Sequence, residues 1–217
     1  MYKIAVFDLD GTLFNTQPDL LPAFNKAVMA YGYAPCPSEK FGRVIGNGFK
    51  TSLRRILPSD FDNEEQFADM CRIYHEVYSE HYADETCPYD GICSTLQSMS
   101  QMGIKLVVLS NKTEEHSLVL CRKLLPDIQL AGVYGAGGGF PLKPDPAYLN
   151  EILAIHKVNH GDAIFIGDSD VDVYTAHNAH IPCIGCVWGY RGMQELQNAG
   201  ADYIAHKPAD ILKIIKK

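Results

Sequence analysis

Two aspartates that stand two residues apart, Asp8 and Asp10, carry the most recognisable chemistry in this chain. They directly follow the apolar run Ile4–Phe7, which has the composition of a buried strand. Ligands of open α/β sheets bind beyond the carboxyl ends of the strands, so the position suits a site. Neighbouring carboxylates need a cation or shared protons to offset their repulsion. The pair therefore predicts a divalent-cation site beside a nucleophile.

Three later segments carry complementary groups. The triplet SNK begins at Ser110, directly after an apolar run, and KPDP begins at Lys143 in a loop that follows several glycines. The segment GDSDVD follows another apolar run and contains Asp168 and Asp172. Parallel strands place their carboxyl ends at one edge of a sheet, so these groups can converge with the first pair.

The combined chemistry is that of a magnesium-assisted phosphate site. Asp168 would add a third carboxylate, and each like-charged pair 4 Å apart costs about 4 kcal/mol at an effective dielectric of about 20. Mg²⁺ prefers hard oxygen ligands and keeps waters that a substrate phosphate can replace. Ser110 offers a hydroxyl and an N–H for phosphate oxygens, and Lys143 offers a compact positive charge.

Short apolar runs alternate with helical patterns along most of the chain. This alternation predicts an α/β fold with a doubly wound parallel sheet. The predicted strands are 4–7, 104–109, 163–166, 181–187 and 203–205, and the predicted helices between and after them are 92–102, 114–125, 146–156, 171–178, 193–198 and 209–215.

Residues 15–82 interrupt the alternation with helical patterns only, at 20–30, 50–57 and 64–82. We therefore predict a core domain formed by 1–14 and 83–217 and a helical cap domain formed by 15–82. A helical insertion after the first strand would lie above the carboxyl ends of the sheet, where a lid belongs.

Composition excludes several classes of protein. The 217 residues carry a net charge of −7, which argues against non-specific binding to nucleic acid. No apolar stretch reaches the roughly 18 residues needed to span a membrane, and acids interrupt the N-terminus before a signal-peptide core could form. The seven cysteines are scattered, as reduced thiols are. We expect a cytoplasmic monomer or homodimer that binds neither nucleic acid nor membrane.

The four motifs DLDGTL, LSN, KPDP and GDSDVD, in this order and spacing, resemble those of the haloacid dehalogenase superfamily. The resemblance implies a Rossmann-like core with a small helical cap. It also implies that Asp8 is a nucleophile that forms an aspartyl-phosphate, and that Asp10 protonates the leaving oxygen and later deprotonates water.

The same resemblance assigns the other residues. Ser110 and Asn111 would bind the phosphoryl group, and Lys143 would bind it and stabilise its charge. Asp168 would hold Mg²⁺ together with Asp8 and the carbonyl of Asp10. Asp172 would orient either the waters of the metal or Lys143. These assignments are expectations that follow from the resemblance.

Asp10 narrows the reaction type. Dehalogenases of the superfamily carry an aromatic residue at this position, because carbon–halogen cleavage needs no protonated leaving group. The phosphonate-cleaving branch carries Ala there. An Asp therefore predicts cleavage of a phosphate ester or anhydride.

We expect the substrate to be a small phosphorylated metabolite whose identity depends on the cap. The loop IGNGFK, with Gly46, Asn47 and Lys50, resembles the cap loop of phosphoglycolate phosphatases and is predicted to contact substrate. 2-Phosphoglycolate is one candidate. Pyrophosphatase, nucleotidase and β-phosphoglucomutase-like sugar-phosphate mutase remain open, as does a non-catalytic regulatory protein that binds phosphate and metal. A signalling receiver domain is disfavoured, since it would be much shorter and lack the insertion.

Overall fold

The computed structural model describes residues 2–216. The chain divides into two compact units, one formed by Met1–Asn15 with Pro88–Lys217 and the other by Thr16–Cys87. We refer to them as the sheet unit and the helical unit, and we describe each by itself.

The strands, in chain order, are β1 (Ile4–Phe7), β2 (Phe14–Asn15), β3 (Cys87–Pro88), β4 (Lys105–Thr113), β5 (Gly132–Ala136), β6 (Ala163–Gly167), β7 (Cys183–Cys186) and β8 (Tyr203–Ala205). Six of them form one parallel sheet in the order β5-β4-β1-β6-β7-β8, and β2 pairs with β3 in a separate two-stranded sheet. The parallel sheet puts the C-terminal ends of β1, β4 and β6 side by side.

The helices are α1 (Gln17–Met29), α2 (Ser38–Phe41), α3 (Phe49–Ile56), α4 (Glu64–His81), α5 (Ile92–Gln101), α6 (Glu114–Leu124), α7 (Ala147–His156), α8 (Asp170–Asn178), α9 (Gly192–Ala199) and α10 (Pro208–Ile214), with a 3₁₀ turn at His160–Asp162. The first four belong to the helical unit.

The core of the sheet unit explains why its strands are apolar throughout. All four residues of β1 and all five of β6 are buried, as expected for central strands covered on both faces. Alternate residues of these strands, such as Val6 and Phe165, share one hydrophobic cluster with Leu149 of α7 and Val173 of α8. The predicted α/β class with a parallel sheet is confirmed.

Several short elements were not predicted from the sequence, including the two-residue strands β2 and β3. Strand β5 was not predicted, because its sequence GVYGA is glycine-rich and mostly only half-buried, so it lacks the apolar run of the central strands. Helix α2 was also missed, since its four residues are too few to show helical periodicity. The strand predicted at 181–187 is shorter and covers Cys183–Cys186.

The helical unit has its own aromatic core. Phe24 of α1 packs on Tyr74 of α4 with ring centroids 4.4 Å apart, and Tyr74 stacks on Tyr78 at 5.6 Å. Asp19, near the start of α1, is a buried carboxylate that accepts hydrogen bonds from the backbone N–H groups of Glu85 and Thr86. This carboxylate ties the first helix of the unit to its last segment.

All seven cysteines are free thiols, as predicted from their scattered positions. Burial raises the pKa of both Cys183 and Cys186 well above the ordinary thiol value, so neither is an activated nucleophile. Within residues 2–216, no helix combines the length and the hydropathy needed to cross a bilayer.

Candidate active site

The segment after β1 forms a tight turn that separates the two aspartates. The backbone N–H of Asp8 continues the sheet by donating to the carbonyl of Ile166 at 2.9 Å. The backbone N–H groups of Leu13 and Phe14 both donate to the carbonyl of Leu9, which closes the turn. Gly11 has φ of +88°, and a Cβ there would lie 2.4 Å from Oδ2 of Asp168. Only glycine therefore allows the turn to approach the Asp168 carboxylate this closely.

Lys143 joins two of the predicted acids. Its Nζ donates to Oδ1 of Asp8 at 2.7 Å and to Oδ1 of Asp172 at 2.6 Å. The lysine side chain is only 4% exposed. Burial by itself opposes the charged ammonium, but the carboxylates of Asp172 and Asp8 outweigh it and raise the pKa of Lys143 above its ordinary value. Lys143 is thus a fixed positive charge beside Asp8.

Asn111 holds the backbone of Lys143. Its side-chain amide accepts from the Lys143 N–H at 2.8 Å and donates to the Lys143 carbonyl at 3.0 Å. Asn111 follows Ser110 at the end of β4, so this paired bond attaches the lysine loop to the sheet. The predicted contact between Asn111 and substrate stays a prediction.

Asp172 has two separate partners. It lies in the first turn of α8, where its Oδ2 accepts from the backbone N–H of Ser169 at 3.1 Å and from the Ser169 hydroxyl at 2.7 Å. Its Oδ1 accepts from Lys143. One fully buried carboxylate therefore caps a helix and orients Lys143 at the same time.

Asp168 is held by two donors that the sequence reasoning did not single out. The Thr12 hydroxyl donates to Oδ1 at 3.0 Å, and the backbone N–H of Tyr190 donates to Oδ2 at 2.7 Å. Gly189 lets the Tyr190 loop approach, since a Cβ at Gly189 would lie 2.2 Å from Cβ of Asp168. Its position in the DLDGT segment is the only feature of the sequence that could have pointed to Thr12. Nothing in the sequence indicates the contact of the Tyr190 N–H.

Carboxylate oxygens of Asp8, Asp168 and Asp172 lie within 4.8 Å of one another. Burial raises the pKa of Asp8 to about 7, because desolvation outweighs the attraction of Lys143 and the neighbouring carboxylates add to it. Burial and the charges of Asp172 and Asp8 likewise raise the pKa of Asp168 well above its ordinary value. Three hard oxygen donors that repel one another form a donor set that fits Mg²⁺.

The side chain of Asp10 takes a different direction. It pairs with Lys112, whose Nζ lies 3.2 Å from Oδ2 and 3.1 Å from Oδ1. The predicted metal set was Asp8, Asp10 and Asp168, with Asp10 contributing its carbonyl. Among the carboxylates that the structure describes, the close cluster contains Asp172 as its third member. Lys112 directly follows the predicted Ser110 and Asn111, and no role was predicted for it.

The predicted cap residues lie in the helical unit, at the start of α3. Gly46 and Gly48 have φ of +117° and +82°, which glycine adopts readily, and Gly48 precedes the first residue of α3. Asn47 accepts a hydrogen bond from Arg55 at 2.7 Å. Lys50 lines an open groove of about 790 Å³ within this unit, together with Arg54.

Comparison with known proteins gives one consistent answer. The sequence model of the family described as haloacid dehalogenase-like hydrolase matches residues 5–186. A phosphoglycolate phosphatase of Agrobacterium fabrum is 34% identical, over 99% of this chain and 94% of the relative. One of Thiobacillus denitrificans is 30% identical, over 99% and 96%. The solved structure of a candidate phosphoglycolate phosphatase from Lactobacillus delbrueckii subsp. bulgaricus aligns with a TM-score of 0.91 at 27% identity, over 99% of this chain and 98% of that one. The resemblance that the four motifs indicated is confirmed, and the chain belongs to the haloacid dehalogenase-like hydrolase family.

Proposed function

We propose that this hydrolase is a Mg²⁺-dependent phosphatase that cleaves a small phosphate ester through an aspartyl-phosphate on Asp8. The observation that carries the proposal is that the first two acids, Asp8 and Asp10, have different partners. Asp8 is buried against Lys143 within a carboxylate cluster, whereas the Asp10 carboxylate is paired separately with Lys112. This difference in partners supports a mechanism in which Asp8 attacks phosphorus and Asp10 transfers protons.

The proposed reaction has two displacements. In the first, a carboxylate oxygen of Asp8 bonds to phosphorus, the ester P–O bond breaks, and Asp10 gives its proton to the leaving oxygen. In the second, water bonds to the same phosphorus, the bond from Asp8 breaks, and Asp10 takes the proton of the water. Lys143 offsets negative charge in both steps, and Ser110 offers its hydroxyl to the phosphoryl oxygens.

Asp8 and Asp168 are the residues proposed to hold Mg²⁺, with Asp172 in the same carboxylate cluster. When bound, the ion offsets the repulsion among these acids and the charge of the phosphoryl group. Thr12 and the Tyr190 N–H fix the Asp168 carboxylate, so its orientation is set by the protein.

The proposed substrate is 2-phosphoglycolate. The relatives from Agrobacterium fabrum and Thiobacillus denitrificans are named phosphoglycolate phosphatases and align over nearly the whole chain. The helical unit carries Lys50 and the glycine-containing loop before it, for which we propose a role in selecting an anionic substrate. Folds of this kind host many substrates, so the choice needs a direct test.

The test is release of inorganic phosphate by the purified protein with Mg²⁺. The panel contains 2-phosphoglycolate, pyrophosphate, nucleoside monophosphates, hexose phosphates and 4-nitrophenyl phosphate. We expect the highest kcat/KM with 2-phosphoglycolate, loss of activity with a chelator, and its return when Mg²⁺ is added back. Asp8→Asn should abolish turnover, while the same substitution at the exposed Asp127 should have no effect.

The panel also separates the alternatives. Highest activity on pyrophosphate or a nucleotide would replace the proposed substrate and keep the mechanism. Conversion of a hexose phosphate into its isomer without phosphate release would indicate a mutase. A folded, Mg²⁺-loaded protein that releases no phosphate from any of these compounds would refute the proposed function.

A further inference from the structure

We propose that Lys112 is a positioning residue for Asp10. Its ammonium group contacts both carboxylate oxygens of Asp10 and fixes the orientation in which this carboxyl exchanges protons with the leaving oxygen and with water. The inference rests on the proposed phosphatase function, in which Asp10 is the general acid and base.

The geometry of the pair is specific. Lys112 Nζ donates a hydrogen bond to Oδ2 of Asp10 at 3.2 Å. It also lies 3.1 Å from Oδ1, which is a buried atom, so one ammonium group contacts both carboxylate oxygens. The lysine side chain is 5% exposed and that of Asp10 is 19% exposed.

The fold brings the two residues together from distant parts of the chain. Strands β1 and β4 are parallel neighbours in which Phe7 pairs with Val108, so the residues beyond this pair lie at the same edge of the sheet. Lys112 is also fixed by its backbone, because its N–H donates to the Ser110 hydroxyl oxygen at 3.2 Å. One residue thus touches both the proposed phosphate-orienting hydroxyl and the proposed proton-transfer group.

The chemistry of an ammonium group leaves the proton of Asp10 available for transfer. Lysine carries three donors and no acceptor, so a protonated Asp10 cannot donate its proton to Nζ. In the first displacement the proton of Asp10 passes from its carboxyl group to the leaving oxygen, and in the second a proton of water passes to the carboxylate.

A purely structural role explains the pair less well. A buried ion pair must recover the cost of removing two charges from water, and replacing such a pair by apolar groups is often neutral or stabilising. Orientation has a larger effect on rate, because a displacement of about 1 Å can cost about 10²-fold in activity. The pair is therefore better suited to fixing Asp10 than to stabilising the sheet unit.

The experiment compares two substrates in Lys112→Met, which keeps an unbranched side chain and removes its charge and donors. One substrate is the alkyl phosphate on which the wild type is most active, whose leaving oxygen needs a proton. The other is 4-nitrophenyl phosphate, whose leaving group needs little protonation. The quantity measured is kcat/KM, because it reports the steps up to formation of the phosphoenzyme and not its hydrolysis.

We expect kcat/KM for the alkyl phosphate to fall by about 10²-fold and that for 4-nitrophenyl phosphate by less than about 10-fold. Lys112→Arg keeps a charged donor, so the ratio of kcat/KM for the alkyl phosphate to kcat/KM for 4-nitrophenyl phosphate should return to the wild-type value. Lys105→Met makes the same substitution on the same strand, at a lysine whose Nζ bonds to the carbonyl of His156, and should leave both values unchanged. Lys112→Gln replaces the Met variant if the latter does not fold.

Asp10→Asn is the reference for loss of the proton-transfer group and should show the same selective loss. An equal fall with both substrates in Lys112→Met, alongside a selective loss in Asp10→Asn, would overturn the role of Lys112 and leave the proposed function intact. A non-selective Asp10→Asn, or a wild type that releases no phosphate, would instead overturn the proposed function and this inference with it.

Discussion

A methyl group added at Gly189 would collide with the side chain of Asp168. The new Cβ would lie 2.2 Å from Cβ of Asp168 and 2.4 Å from its Oδ2. Ordinary contact begins near 3.4 Å, so one of the two groups must move by about 1.2 Å. Gly189 does not have the positive φ that alanine avoids, so the effect of Gly189→Ala is steric and not conformational.

Either way of relieving the collision disturbs the candidate metal site. If Asp168 moves, its carboxylate leaves its place near Asp8. If the loop moves instead, the 2.7 Å hydrogen bond from the Tyr190 N–H to Asp168 is broken. Losing such support for a metal ligand costs about 10- to 100-fold in metal affinity. Misplacement by about 1 Å costs about 10²-fold in rate. Overpacking adds a loss of about 1–3 kcal/mol in the free energy of unfolding.

The assay is a Mg²⁺ titration of phosphatase activity, together with calorimetric measurement of Mg²⁺ binding and thermal unfolding. We expect Gly189→Ala to raise the half-saturating Mg²⁺ concentration and to lower kcat at saturation, while the protein stays folded. Gly161→Ala is the matched control, since a Cβ at Gly161 meets no atom within 4 Å. Wild-type Mg²⁺ affinity and kcat in Gly189→Ala would refute the reasoning that this loop positions Asp168.

Three further predictions concern other parts of the molecule. Asp19→Asn should lower the free energy of unfolding by about 1–3 kcal/mol in urea titrations. The reason is that the amide NH₂ would face backbone N–H groups whose hydrogen bonds the wild-type carboxylate accepts. An unchanged free energy of unfolding would contradict this account. Burial, with a smaller contribution from Lys50, lowers the pKa of His75 below 6.5, so its contribution to stability is complete above pH 6.5 and is lost as the pH falls through the lowered value. The thermal midpoint should therefore fall on acidification below pH 6.5 and fall less in His75→Phe. If the midpoint falls equally with pH in the wild type and in His75→Phe, His75 does not contribute to the loss of stability in acid. Thr12→Val removes the hydroxyl that bonds to Asp168 and should weaken Mg²⁺ binding by about 10-fold or more in calorimetry, without unfolding the chain.

The order of elements was largely readable from the sequence, because central parallel strands are continuous apolar runs and the helices between them show their own period. Strand β5 was not predicted, because a strand at the edge of a sheet needs fewer apolar residues and its glycine-rich sequence is typical of a loop. The element α2 is a single helical turn, which no periodic pattern can reveal.

In the candidate site as well, the sequence indicated some residues and not others. The sequence indicated Asp8, Lys143 and Asp168 through residue type and motif order, and the structure places these three around one buried cluster. It did not indicate Lys112 or the N–H of Tyr190. Lys112 lies just outside the motif LSN, so residue type and motif order gave it no role, and a backbone donor carries no residue signature.

The sequence by itself determined the class of chemistry and the α/β alternation, since both depend on residue types and on local spacing. Only the tertiary structure decided which partner each acid takes. Asp8 and Asp10 are two residues apart, yet one bonds to Lys143 and the other to Lys112. The reason is physical: the register of β1 against its neighbours and the turn at Gly11 set which side chains meet, and contacts between strand ends are not encoded in the spacing of either strand alone.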